Sequence, residues 1–146
     1  TNALKADFSE PFIVGRLKPQ HHAQEDTVRL TLPSGRDIVY RQPRIAEELS
    51  YMGVNPTTRR WDKQKLYGGK LCENVCQAIA RDVMRDAMHR LNRAGYQILL
   101  TVHDEILCVD DQGNAEEMEQ LMSQTPAWAR GCPIAAEAWS GKRYRK

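Results

Sequence analysis

Between Lys70 and Ala94 the apolar residues come in pairs four positions apart: Leu71-Cys72, Val75-Cys76, Ile79-Ala80, Val83-Met84 and Ala87-Met88. This pattern predicts one long helix. Gly68-Gly69 precedes it, and Gly95 stands just past its last turn, where a left-handed residue commonly ends a helix. An α-helix repeats every 3.6 residues, so a four-residue pattern drifts around it. Five steps of four, from Leu71 to Leu91, turn the stripe by roughly 200°. Such a helix cannot rest on a single layer, and its two ends must meet different neighbours. Near its start, Lys70, Asn74, Gln77 and Arg81 follow the spacing i, i+4, i+7, i+11 and share a polar face. A solvated face has this composition, and so does a face whose amides and cations meet a nucleic-acid groove.

After Gly95, the β-prone run Tyr96–Val102 and the run Ile106–Val109 flank His103-Asp104-Glu105. This predicts a hairpin with three ionisable residues at its tip. Turns are ordinarily polar, which is the plain reading. Two acids beside buried strands are nevertheless costly without a partner, and a divalent cation is one such partner. Asn114-Ala115-Glu116-Glu117 has the form of a capping box and predicts a short helix through Met122. Thr125-Pro126 suits another helical turn. Pro133–Trp139 reads as a final strand.

Upstream, residues 1–26 are polar and broken by Pro11 and Pro19, suggesting a helix end and a loop. Thr27–Leu32 and Asp37–Arg41 alternate around the turn Pro33-Ser34-Gly35-Arg36, which predicts a hairpin. Residues 44–51 fit helix or strand equally. Asn55-Pro56-Thr57-Thr58 is a turn that would join strands around Tyr51 and Trp61. The fold class is α+β, with antiparallel strands covered by helices.

A length of 146 residues favours one domain. The 41% hydrophobic share and the net charge of +2 exclude disorder as a description of the whole chain. No apolar run approaches the roughly 20 residues of a membrane span. The start Thr1-Asn2-Ala3-Leu4-Lys5 has no apolar signal-peptide core, and the absence of an initiating Met points to a processed chain or a piece of something longer.

Charge is unevenly distributed. Asp104–Glu119 holds seven carboxylates and no Lys or Arg, Arg59–Lys70 holds five basic residues and one acid, and four of the last five residues are basic. Such a division suits a cation in one place and phosphates in another, or ordinary solvated surface. The four cysteines, Cys72, Cys76, Cys108 and Cys132, form no Cys-x-x-Cys and read as small core residues in a reducing cytosol. His21-His22 reads as a loop pair without a ligand role.

The stretch from Tyr67 to Asp82 precedes Thr101-Val102-His103-Asp104-Glu105 by one helix and one strand. Together they resemble the C-terminal part of the palm of family A DNA polymerases, the DNA polymerase I type, and its phage branch in particular. Leu32-Pro33-Ser34-Gly35-Arg36 and the end Glu137–Lys146 resemble that branch too, so the resemblance spans nearly the whole chain. Val-His-Asp-Glu alone has little specificity, whereas with the helix motif at this distance it has much.

The resemblance implies that residues 1–146 are a C-terminal palm fragment. Residues 1–66 would be a hairpin-containing region, and 67–146 would hold the long helix, the motif C hairpin packed against it, and a C-terminal helix and strand. It implies that Asp104 is a ligand of catalytic Mg²⁺, that His103 lies near the primer terminus, and that Glu105 is a secondary carboxylate. Gln77 would contact a minor-groove base edge. Asn74, Lys70 and Arg81 are further DNA-binding candidates, for which a surface role fits equally. The implied partners are primer–template DNA and a deoxynucleoside triphosphate, without a membrane, in the cytoplasm of a bacterial host or phage-infected cell.

The family's motif A aspartate and motif B helix have no counterpart. Asp7-Phe8-Ser9 is the nearest string to motif A and lacks the surrounding pattern. The chain alone is therefore expected to be inactive. It fits a polymerase fragment, one chain of a split polymerase whose partner carries motifs A and B, or a non-catalytic DNA-binding module. A sheet lacking the motif A strand would have an open edge and a tendency to self-associate.

Overall fold

The computed structural model describes residues 15–109 and 114–144. The chain forms two compact units, Thr1–Ile79 and Ala80–Lys146, and the division falls inside helix α1, Gly68–Arg93. The fold is α+β, with seven antiparallel strands in two sheets and two α-helices among the described residues. None of these helices is long and apolar enough to cross a membrane.

The first unit is a five-stranded meander in the order β1-β2-β3-β4-β5. Its strands are β1 Lys18–His22, β2 Thr27–Thr31, β3 Asp37–Ile45, β4 Leu49–Val54 and β5 Trp61–Lys65. The expected hairpin is β2–β3, with its turn closed by Leu32 N–H on Arg36 O at 2.8 Å and Gly35 N–H on Leu32 O at 2.9 Å. The second expected turn joins β4 to β5. The Asn55 side-chain oxygen accepts from the Thr57 and Thr58 N–H groups, as an Asx turn does.

Val28, Tyr40 and Leu66 form the buried core, with Ile38, Leu49, Tyr51 and Leu71 packed against it. Tyr40 meets Tyr51 edge-on with ring centroids 5.1 Å apart. Leu71 brings the start of α1 into this core. Residues 44–51 resolve into the end of β3 and the start of β4. The β3–β4 register shifts between Arg41 and Arg44, where Gln42 has φ 47° and Pro43 lacks an N–H.

The second unit contains the end of α1, the two-stranded sheet β6 Gln97–Val102 and β7 Glu105–Val109, and helix α2, Ala115–Ser123. Ala87, Leu91, Tyr96 and Ile106 form its core. α1 stops as expected at Gly95, with φ 96°. Tyr96 N–H reaches Leu91 O and Gly95 N–H reaches Asn92 O, which is the Schellman pattern, and Tyr96 then packs in the same cluster as Leu91. Asn114 caps α2 by accepting from the Glu116 and Glu117 N–H groups. Arg90 Nε donates to Leu121 O at 2.7 Å, tying α1 to α2. A 3₁₀ turn, Ala127–Ala129, follows Pro126, and Trp128 Nε1 donates to Asp86 at 2.7 Å.

Four expectations change. Within residues 15–26 the structure has strand β1 rather than only a loop; Pro19 is tolerated because β1 is an edge strand. Residues 1–14, with Pro11 and Asp7-Phe8-Ser9, lie outside the described residues. Residues 133–139 form no strand. Their backbone instead bonds to α2 side chains, Ala136 N–H to Ser123 Oγ at 3.0 Å and Ala138 N–H to Glu119 at 3.3 Å. Cys132 is exposed rather than core, and so are Cys72 and Cys76. The latter two lie about 100° around the helix from Leu71 and Val75, which are half-buried. Lastly, Glu105 belongs to β7, so the hairpin turn is two residues long.

Leu91 is 0% exposed. Leu91→Ala is expected to cost about 2–5 kcal/mol in denaturant unfolding. Gly95→Ala meets no atom within 4 Å, so its cost should be backbone strain of about 1 kcal/mol in the same measurement.

Candidate functional site at the β6–β7 hairpin tip

The β6–β7 ladder places the tip. Val102 pairs with Glu105, Thr101 with Ile106 and Ile98 with Cys108. The register shifts by one residue between Ile98 and Leu100, which makes Leu99 a bulge residue. Ile98, Ile106 and Cys108 face the core. Between the strands, His103 and Asp104 form the turn, and both are exposed.

His103 has φ 53°, whereas Asp104 does not have positive φ. Positive φ at the first turn residue alone is the pattern of a type II′ hairpin turn, a position that favours Gly. A side chain there is held at a cost of about 1 kcal/mol or more. Strain of this kind concentrates at functional sites, and here it falls on the residue preceding the exposed carboxylate.

Glu105 is tied down. The Tyr144 hydroxyl donates to Glu105 Oε2 at 2.6 Å, bringing the C-terminal segment to the tip. Donating to the Glu105 carboxylate is the main cause that pushes the Tyr144 phenol above its usual pKa. No periodic pattern signals this contact, since its partners are 39 positions apart.

The four helix candidates differ in their engagements. Lys70 is paired with Glu73 at 3.0 Å. Asn74 Nδ2 donates to Tyr40 OH at 3.2 Å, so part of its hydrogen-bonding capacity serves the first unit. Gln77 and Arg81 are exposed on α1. His21 and His22 are consecutive strand residues and point to opposite faces of β1, so they do not converge on one ion.

For a divalent cation, the tip offers Asp104 as a hard oxygen donor, with Glu105 adjacent in sequence and engaged by Tyr144. Mg²⁺ takes one or two carboxylates and completes its shell with water and phosphate oxygens, so Asp104 fits as one ligand rather than as part of a protein cage. Among the described residues no three His, Cys, Asp or Glu side chains converge to hold a metal.

The chain is similar to a DNA polymerase of Bacillus phage SP02, 36% identical over 124 residues, which is 79% of this chain. That match spans 19% of the phage polymerase's length. No family model matches the chain. No solved structure matches it either.

Two measurements probe the tip. His103→Gly should hold or raise the melting temperature by relieving positive φ, whereas His103→Val should lower stability by about 1–2 kcal/mol. In an ultraviolet titration of tyrosine ionisation, Tyr144 should ionise above the ordinary range of about pH 10. Because the neutral phenol is the donor, this contact is present below that pH and lost as pH rises through the shifted value. Glu105→Gln should lower the value toward normal.

Proposed function

We propose that the chain is part of a DNA-directed DNA polymerase of the family A type, and that the β6–β7 hairpin is its motif C. The reading is carried by Val102-His103-Asp104-Glu105 at a strained two-residue turn in a chain 36% identical to a phage DNA polymerase. The reaction is nucleotidyl transfer: a primer 3′-oxygen attacks the α-phosphate of a deoxynucleoside triphosphate, and pyrophosphate leaves.

In this reading Asp104 projects a carboxylate from the turn as a Mg²⁺ ligand. The bound metal would lower the pKa of the attacking hydroxyl and neutralise charge on the leaving group. The chain's own residues otherwise position the reactants. His103, the residue before Asp104 in the turn, orients the primer terminus. Glu105, held by Tyr144, contributes charge without being free to swing. Gln77 reads a minor-groove base edge, where A·T and G·C pairs both present acceptors. Asn74, Lys70 and Arg81 lie along the same helix as supporting contacts. Catalysis here is chiefly orientation and preorganised charge.

The second carboxylate anchor and the triphosphate-gripping helix would come from polypeptide beyond these motifs. The 146-residue chain alone should therefore give no primer extension with Mg²⁺, and clear incorporation would contradict the incomplete-site reading. The assignment of Asp104 has its own test. Paramagnetic Mn²⁺ should broaden the NMR signals of His103 and Glu105 selectively, and Asp104→Ala should abolish the effect. Broadening that survives Asp104→Ala would sink the motif C assignment.

A further inference from the structure

The five-stranded sheet has one face that neither the hairpin tip nor α1 accounts for. Buried Val28, Leu30, Tyr40 and Leu66 mark its core side, while Thr27 and Ser50 are the buried residues of the other side. The strand register assigns Lys18, Arg29, Arg41, Arg44, Lys63 and Lys65 to the opposite side. Within the strands, Asp37 is the acid on that side.

Three of the six cations are neutralised locally. Arg29 pairs with Glu25 at 2.6 Å, Arg44 with Asp26 at 2.7 Å and Lys65 with Glu48 at 2.6 Å. Lys18, Arg41 and Lys63 are exposed and have no carboxylate partner among the described residues. Arg41 and Lys63 occupy one row across the sheet, Thr27–Arg41–Met52–Lys63. With strands about 4.8 Å apart, their charges leave the backbone about 10 Å from each other.

Trp61 is the preceding outward residue on β5, about 7 Å along the strand from Lys63, and it is 57% exposed. The turn before it carries Arg59 and Arg60, also exposed. β5 is an edge strand, so nothing in the sheet covers its far side.

We propose that this outer sheet face, centred on Arg41, Lys63 and Trp61, is a binding platform for a single-stranded nucleic acid. The cations repeat along a line, as a phosphodiester backbone requires, and a flat exposed indole beside them offers a stacking surface for a base. A single anion would use one charge and leave the row idle, and an acidic peptide would have no planar group for Trp61. The inference rests on the polymerase reading only in naming DNA as the strand. It uses none of the residues assigned to the hairpin tip or to α1.

The test is fluorescence anisotropy of a labelled oligothymidylate with the 146-residue chain at several salt concentrations. Arg41→Glu/Lys63→Glu should weaken binding at least about 10-fold at low salt. It should also flatten the slope of log affinity against log salt by about 1.4, the value for two lost phosphate contacts on a single strand. Binding should quench tryptophan fluorescence, and Trp61→Leu should remove that quench. If the charge reversals disturb folding by circular dichroism, Arg41→Gln/Lys63→Gln serves in their place with a smaller loss in the same direction.

Binding within twofold of wild type in the charge variants, no binding by the wild-type chain, or equal binding of polyglutamate would each overturn the proposal. Failure of the Mn²⁺ test with this binding intact would fault the motif C assignment and leave the platform standing.

Discussion

Apolar pairs that recur every four residues on a 3.6-residue helix cannot line up, and the two cores follow from that mismatch. At the start of α1 the drift turns Leu71 into the core of the first unit, beside Val28, Tyr40 and Leu66. Four turns later it turns Ala87 and Leu91 into the core of the second. The helix must then stop cleanly, because Tyr96, three residues past its last helical residue, belongs to that second core. Gly95 makes the stop, and β6 begins at Gln97. The position of the hairpin tip along the chain is thus set by where the helix ends and by how many residues β6 spends before turning.

Away from the tip, Asp86 accepts from Trp128 and the Leu121 carbonyl of α2 accepts from Arg90. At the tip, an exposed carboxylate follows a residue in the left-handed region. Tyr144 holds the neighbouring Glu105 and leaves Asp104 as the acid that projects. This asymmetry between adjacent carboxylates is what the proposed division of labour needs, with one acid meeting an ion and the other held as fixed charge.

Much of this was legible because it is periodic or punctuated. The β2–β3 hairpin, the Asn55 turn, α1 with Gly95, the capped start of α2 and the strands around His103-Asp104 all announce themselves through spacing or turn chemistry. β1 did not, since an edge strand tolerates Pro19 and polar residues that a central strand would reject. Residues 133–139 misled in the other direction. They carry strand-like residues, but their N–H groups are claimed by Ser123 and Glu119 of α2. The exposure of Cys72 and Cys76 follows from which member of each apolar pair faces the core, a choice that packing makes and composition does not record. The basic outer sheet face was visible only as a charge run from Arg59 to Lys70. Its second contributor, Arg41, joins it through strand register.

The bulge at Leu99 acts as a phase shifter. Ile98 and Thr101 are three residues apart, yet both pair with core-side residues of β7, because the register skips one position between Ile98 and Leu100. Removing Leu99 would restore strict alternation while every other side chain on β6 kept its face. The strand would shorten by one residue, and the turn would still close between Val102 and Glu105. A length change, usually the harshest edit to a strand, is therefore the gentle one at this position, and it would delete one of the most exposed leucines of the chain. An insertion elsewhere in β6 has no such slack and would turn the tip side chains over.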